Sequence, residues 1–123
     1  MSKIVIITGG SEGIGFATAQ KFCNLNYKVL IASRNEAKLA LAKAEILQNY
    51  SKAQIHFVVC DVAQDKDVTK LFKVCDEIYG KVNILINAAA ILESHNFIDA
   101  NKAIWQKTLD INLKGTISCC EHA

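Results

Sequence analysis

The chain has 123 residues, 51% hydrophobic and 21% charged, and its 14 basic and 12 acidic side chains leave a formal charge of +2. That length supports one compact core, or part of one, and no comfortable second domain. The charges are scattered instead of gathered into runs, so no basic stripe marks a nucleic acid or an acidic membrane as partner, and no window approaches the roughly 18 apolar residues that cross a bilayer. Ile4–Ile7 is far too short for a signal-peptide core. Five cysteines (Cys23, Cys60, Cys75, Cys119, Cys120) form an odd set without a C-x-x-C pair, which argues against a disulfide frame or a zinc site. The expected setting is the reducing cytoplasm, with no metal.

Lys3–Ile7 is a β-branched run that ends at a glycine cluster, and Gly13–Asn24 then carries Phe16, Ala19, Phe22 and Cys23 at helical spacing. A second apolar run, Val29–Ala32, precedes Asn35 and the Ala/Leu/Lys-rich stretch Glu36–Gln48, a strong helix former. His56–Val59 reads as a third buried strand. Val68, Leu71, Phe72, Cys75, Ile78 and Tyr79 then fall at i, i+3, i+4, i+7, i+10 and i+11, the clearest amphipathic helix in the chain, ended by Gly80. Val82–Asn87 is the fourth run. A looser segment to about Ala100 leads to a last helical pattern with Trp105, Leu109, Asn112 and Thr116 on one face. Four strand–helix units with continuous apolar strands specify a doubly wound, Rossmann-like α/β fold: a parallel sheet covered on both faces, with right-handed crossovers. There is no repeat, linker or low-complexity segment.

Thr8-Gly9-Gly10-Ser11-Glu12-Gly13-Ile14-Gly15 lies between the first strand and the first helix. In that position Gly9 permits the turn, Gly13 removes a side chain where backbone must approach a pyrophosphate, and Gly15 lets the helix pack against the strand. The helix N-terminus then faces the phosphates with its N–H groups and dipole. A dinucleotide is the natural ligand; the plainer alternative is a glycine-rich connection with no ligand.

This T-G-x-x-x-G-x-G spacing, Cys60-Asp61-Val62 after the third strand, Asn87-Ala88-Ala89-Ala90 after the fourth and Asp110-Ile111-Asn112 in the last helix together resemble the short-chain dehydrogenase/reductase family. The resemblance covers the whole chain but only the N-terminal half of a family member, so residues 1–123 correspond to the N-terminal part of a single NAD(P)-binding Rossmann domain, truncated after about four βα units. It implies that Gly9, Ser11, Gly13, Ile14 and Gly15 hold the pyrophosphate and adjoining ribose. Asp61 and the main chain of Val62 would hold the adenine. Asn87 would stabilise the central strand and line the cofactor groove with Ala88 and Ala89, and Asn112 would be the catalytic asparagine that holds a water in a proton relay. Two of these have simpler alternatives: Asp61 as a turn residue accepting a local N–H bond, and Asn112 as a solvated helix residue.

Near the end of the second strand, where NAD users of the family place an acid for the ribose 2′-hydroxyl, the chain has Ser33 and then Arg34. An arginine fork suits a phosphate, so the resemblance implies NADP(H) in preference to NAD(H), with a solvated Arg34 as the alternative. Two residues depart from the family pattern. Ala90 stands where glycine is usual, and Glu12 where a basic residue often supports the 2′-phosphate.

The family's serine and Tyr-x-x-x-Lys pair are absent: no lysine stands at the fourth position after Tyr27, Tyr50 or Tyr79. The full-length form would transfer hydride between NADP(H) and a ketone or secondary alcohol, as a homo-oligomer, while this chain alone would be inactive. Two alternatives stay open. One is a non-catalytic dinucleotide-binding or interaction module, acting through an exposed hydrophobic edge at Val82–Asn87. The other is an enzyme of the extended epimerase/dehydratase branch, which Glu12 in a glycine position disfavours.

Overall fold

The computed structural model describes residues 2–91 and 101–123. Four parallel strands, β1 (Ile4–Thr8), β2 (Lys28–Ser33), β3 (Gln54–Val59) and β4 (Ile84–Asn87), lie in the order β3-β2-β1-β4. Between them run α1 (Gly13–Asn24), α2 (Glu36–Asn49) and α3 (Asp65–Ile78); α4 (Lys102–Leu109) and α5 (Gly115–His122) follow β4. This is the doubly wound Rossmann-like architecture expected from the strand–helix alternation. Much of the segment expected to be loose, 92–100, lies outside the described residues.

The period-2 alternation of side chains splits the core into two layers. Val5, Ile7, Val29, Ile31 and Ile55 point to one face and pack with Ala19 and Cys23 of α1 and Leu39, Ala42 and Ile46 of α2. Ile4, Ile6, Leu30, Ala32 and Val58 point to the other and pack with Val68, Leu71, Phe72 and Cys75 of α3, together with Ile111 and Cys119. Every residue of β1 is buried because both layers cover it.

Three expectations need correction. β3 is not a continuously buried run: it is an outer strand whose exposed His56 and Val59 alternate with buried Ile55 and Val58. β4 starts at Ile84, not Val82. The Asn83 side chain accepts the Ile4 N–H at 2.8 Å and its own N–H reaches Ile4 O at 2.9 Å, so the ladder begins only beyond it. The last helical pattern does not keep one face from Trp105 to Thr116: it is interrupted after Leu109, and the Trp105 and Leu109 side chains are 44% and 54% exposed. A five-residue π turn, Asp110–Lys114, shifts the phase between α4 and α5, so that Ile111, Gly115, Ser118 and Cys119 are the residues buried, Gly115 against Val62 and Ser118 against Asp65 of α3.

All five cysteines are free thiols; Cys119 is buried as a helix thiol should be, whereas Cys120 beside it is exposed. No helix among the described residues is long and apolar enough to cross a membrane.

Behind the sheet ends, the Tyr79 hydroxyl donates to Val29 O at 3.2 Å and meets His56 Nδ1 at 2.9 Å. Desolvation, reinforced by the Lys43 charge, holds the His56 pKa below its ordinary 6.5. The unfolded chain therefore takes up this proton before the folded one does, and stability is lost as pH falls below about 6.5. Thermal melts from about pH 7 to about pH 5 should show a smaller loss for His56→Gln than for the parent chain; equal losses would remove His56 as the cause.

Candidate cofactor groove

The carboxyl ends of β1, β2, β3 and β4 open into a groove of about 670 Å³. It lies where the chain turns from the β1-β2-β3 side of the sheet to β4, the switch point at which ligands bind in open α/β sheets. Four connections supply its walls. The turn after β1 contributes Gly9, Ser11 and Glu12, and the β2–α2 connection contributes Ser33, Arg34, Asn35, Glu36 and Lys38. Cys60, Asp61 and Val62 follow β3, Ala88 to Ile91 follow β4, and Ile111 of the π turn completes the wall.

The glycine turn is tied to both neighbouring strands. Gly9 N–H donates to Ala32 O at 2.8 Å, and Ala88 N–H donates to Thr8 O at 3.1 Å. Buried Thr8 adds its hydroxyl, which lies 3.5 Å from Ile86 O and accepts from Ala89 N–H at 3.4 Å. Two glycines are required here for different reasons. A Cβ on Gly15 would overlap the Gly9 carbonyl oxygen and lie 2.7 Å from its carbon, so only glycine lets α1 start this close to the turn. Gly13 has φ +59° and a Cβ there would meet nothing within 4 Å. The open space at Gly13, the bare start of α1 and the absence of acids in its first turn fit a phosphate group.

On the β2 side, Asn35 caps α2: its Oδ1 accepts the Lys38 N–H at 3.0 Å, while its own N–H reaches Ser33 Oγ at 3.4 Å. Arg34 is exposed on the groove wall and, among the described residues, makes no ion pair. Beyond β3, Asp61 Oδ1 accepts the Ala63 N–H at 3.0 Å and Asp61 N–H donates to Asp67 Oδ2 at 2.9 Å. Asp61 is thus a turn-forming residue whose carboxylate also borders the groove. Cys60, deeper in, is no nucleophile: burial first, then the neighbouring Cys119 and acids, push its thiol up to about 12.

Of the residues expected at a cofactor, the groove gathers Gly9, Ser11, Ser33, Arg34, Asp61, Val62, Ala88 and Ala89. Gly13, Ile14 and Gly15 stand at the start of α1 beside it, with Ile14 82% exposed. Asn87 does not line it; its Nδ2 donates to Cys120 Sγ at 3.6 Å, on the α5 side. Asn112 sits in the middle of the π turn, and its amide makes a matched pair with Ile91: Oδ1 accepts the Ile91 N–H and Nδ2 donates to Ile91 O, both at 2.8 Å. The side chain therefore pins the segment after β4 to the last helix. Among the residues that line the groove, sequence reading gave no cofactor role to Asn35, Glu36, Lys38, Cys60, Ile91 or Ile111. The Asn35 cap was the available signal for Glu36 and Lys38, since it turns the first residues of α2 toward the strand ends.

The family model for short chain dehydrogenases matches residues 3–123. The chain belongs to that family. An uncharacterized oxidoreductase of Staphylococcus saprophyticus is 31% identical over 115 residues, 94% of this chain and 49% of that protein. The crystal structure of a short chain dehydrogenase from Bacillus anthracis is 38% identical, with a TM-score of 0.91 over 97% of this chain and 47% of the other. An L-sorbose reductase of Gluconobacter frateurii, complexed with NADPH and L-sorbose, shares the fold: TM-score 0.91 at 22% identity, covering 98% of this chain and 46% of the reductase. The chain spans about half the length of the curated relatives it matches.

Proposed function

We propose that this chain is the dinucleotide-binding part of an NADP-preferring short-chain oxidoreductase acting on a ketone/secondary-alcohol pair. The observation that carries the reading is the end of β2. Ser33 offers no carboxylate to the groove, and the exposed Arg34 beside it has no ion-pair partner among the described residues. A guanidinium in that state suits a ribose 2′-phosphate, whereas a bare 2′-hydroxyl gives it much less to bind.

In this reading Gly9, Ser11, Gly13, Ile14 and Gly15 take the pyrophosphate and the adjoining ribose, Ser33 and Arg34 the 2′-phosphate, and Asp61 and Val62 the adenine. Ala88 and Ala89 form the opposite wall, and Asn87 acts from behind it, through α5. The bound dinucleotide supplies or accepts the hydride. Asn112 acts by holding Ile91, and so the wall beyond β4, in place; both polar atoms of its amide are used in that pairing. The full-length oxidoreductase is a homo-oligomer in this reading.

A titration of the 123-residue chain with NADPH and with NADH, followed by nicotinamide fluorescence, tests it. NADPH should bind at least about tenfold more tightly, the effect of one good charge-assisted contact. Equal affinities would remove the NADP preference, and no saturable signal from either nucleotide would remove the dinucleotide reading.

A further inference from the structure

Glu12 and Lys38 face each other at the mouth of the groove. Glu12 precedes the first residue of α1, and Lys38 lies in the first turn of α2. The Lys38 Nζ is 3.2 Å from one carboxylate oxygen of Glu12 and 3.4 Å from the other. Both residues line the large groove and also a smaller hollow of about 360 Å³ beside Phe16 and Leu41, so the pair forms the rim that the two spaces share.

The charge at this rim is unfavourable for an anion without Lys38. Arg34 and Lys38 are the two cations lining the groove among the described residues, and Glu12, Glu36 and Asp61 are carboxylates on the same walls. A ribose 2′-phosphate adds nearly two negative charges and three acceptor oxygens. Against Arg34 alone, with Glu12 unneutralised, much of its attraction would be cancelled. Lys38 corrects this imbalance, and its backbone is well placed to do so. The Asn35 cap joins Ser33, Asn35 and Lys38 in one hydrogen-bonded unit that includes the Arg34 position between them in sequence, while the long Lys38 side chain remains half in solvent and able to swing. Its present partner holds it weakly, because an exposed pair of single charges gains little over water.

Resting on the NADP reading above, we infer that Lys38 is a specificity-determining residue: it exchanges Glu12 for the 2′-phosphate of NADP(H) and binds that phosphate together with Arg34. With NAD(H) the Glu12–Lys38 pair stays closed and contributes nothing to affinity. Glu12 then acts as a competitor for Lys38, so its charge opposes NADP(H) binding alone.

The test compares the parent chain, Lys38→Met and Glu12→Gln, each titrated with NADPH and NADH at low and high salt. Circular dichroism confirms that the variants stay folded; both positions are exposed, and methionine keeps the helix propensity. Lys38→Met should weaken NADPH about tenfold and change NADH by less than about twofold, while Glu12→Gln should tighten NADPH about threefold. Equal losses for both nucleotides in Lys38→Met, or weaker NADPH binding in Glu12→Gln, would overturn the exchange. If the parent chain itself shows no preference for NADPH, the NADP reading fails and the Lys38 role with it. If the parent prefers NADPH and Lys38→Met keeps the full preference, the NADP reading stands on Arg34 and only the role of Lys38 is lost.

Discussion

Gly15→Ala should destabilise the chain by about 3 kcal/mol and lower its melting temperature by roughly 10 °C or more. The added Cβ would overlap the Gly9 carbonyl oxygen, and that carbonyl belongs to a turn already fixed to Ala32 and, through Thr8, to Ala88 and Ala89. Backbone held on both sides cannot move away as a side-chain tip would, so the strain falls on the start of α1. Gly13→Ala is the informative companion. It meets no atom within 4 Å, and its cost is the left-handed φ of +59°, about 1 kcal/mol for a residue with a Cβ. Gly13→Ala should therefore stay folded and lose dinucleotide binding, because its methyl group enters the space assigned to the pyrophosphate. Thermal melts with and without NADPH separate the two. A Gly15→Ala chain as stable as the parent would show that α1 can back away from the turn. A Gly13→Ala chain with full NADPH affinity would place the phosphates elsewhere.

The second large effect lies in the layer under α3. Leu71 is fully buried with Ile6, Leu30 and Cys75, on the helix whose apolar spacing is the most regular in the chain. Leu71→Ala should cost about 3 kcal/mol, from lost transfer energy plus the cavity left between α3 and a sheet that cannot close over it. Leu41→Ala on α2, chemically the same change at a side chain 71% exposed, should stay within about 0.5 kcal/mol. Urea unfolding of both variants measures the contrast directly. A small effect at Leu71 would mean that α3 is docked more loosely than its burial implies, and would call for proteolysis of that layer.

The origin of the errors is physical. Periodicity reports which residues are apolar, and it identified α3 because a helix on the sheet must turn one stripe inward. For the last helix the same rule selected Trp105 and Leu109, since large apolar residues carry the pattern. The buried face is instead set by Ile111 and Cys119, which join the core, and by two small residues, Gly115 against Val62 and Ser118 bonded to Asp65, after the π turn has shifted the phase. Likewise His56–Val59 reads as buried until the strand order leaves β3 with a neighbour on one side only.

At the groove the division is similar. The glycine spacing between a strand and a helix was legible because steric exclusion at Gly15 and positive φ at Gly13 act over a few neighbouring residues. The end of β2 was legible because Ser33 and Arg34 follow one another directly. The Glu12–Lys38 pair, 26 residues apart, and the Asn112–Ile91 pair, 21 apart, were not. Local sequence thus determined the elements, the family and the glycine turn proposed to face the phosphates, because each depends on short-range sterics and on the periodicity of one segment. Tertiary structure alone decided which face of the last helix is buried, that Asn112 holds Ile91, and which cations meet which carboxylates at the rim. Those depend on distances between segments that come together only when the parallel sheet forms.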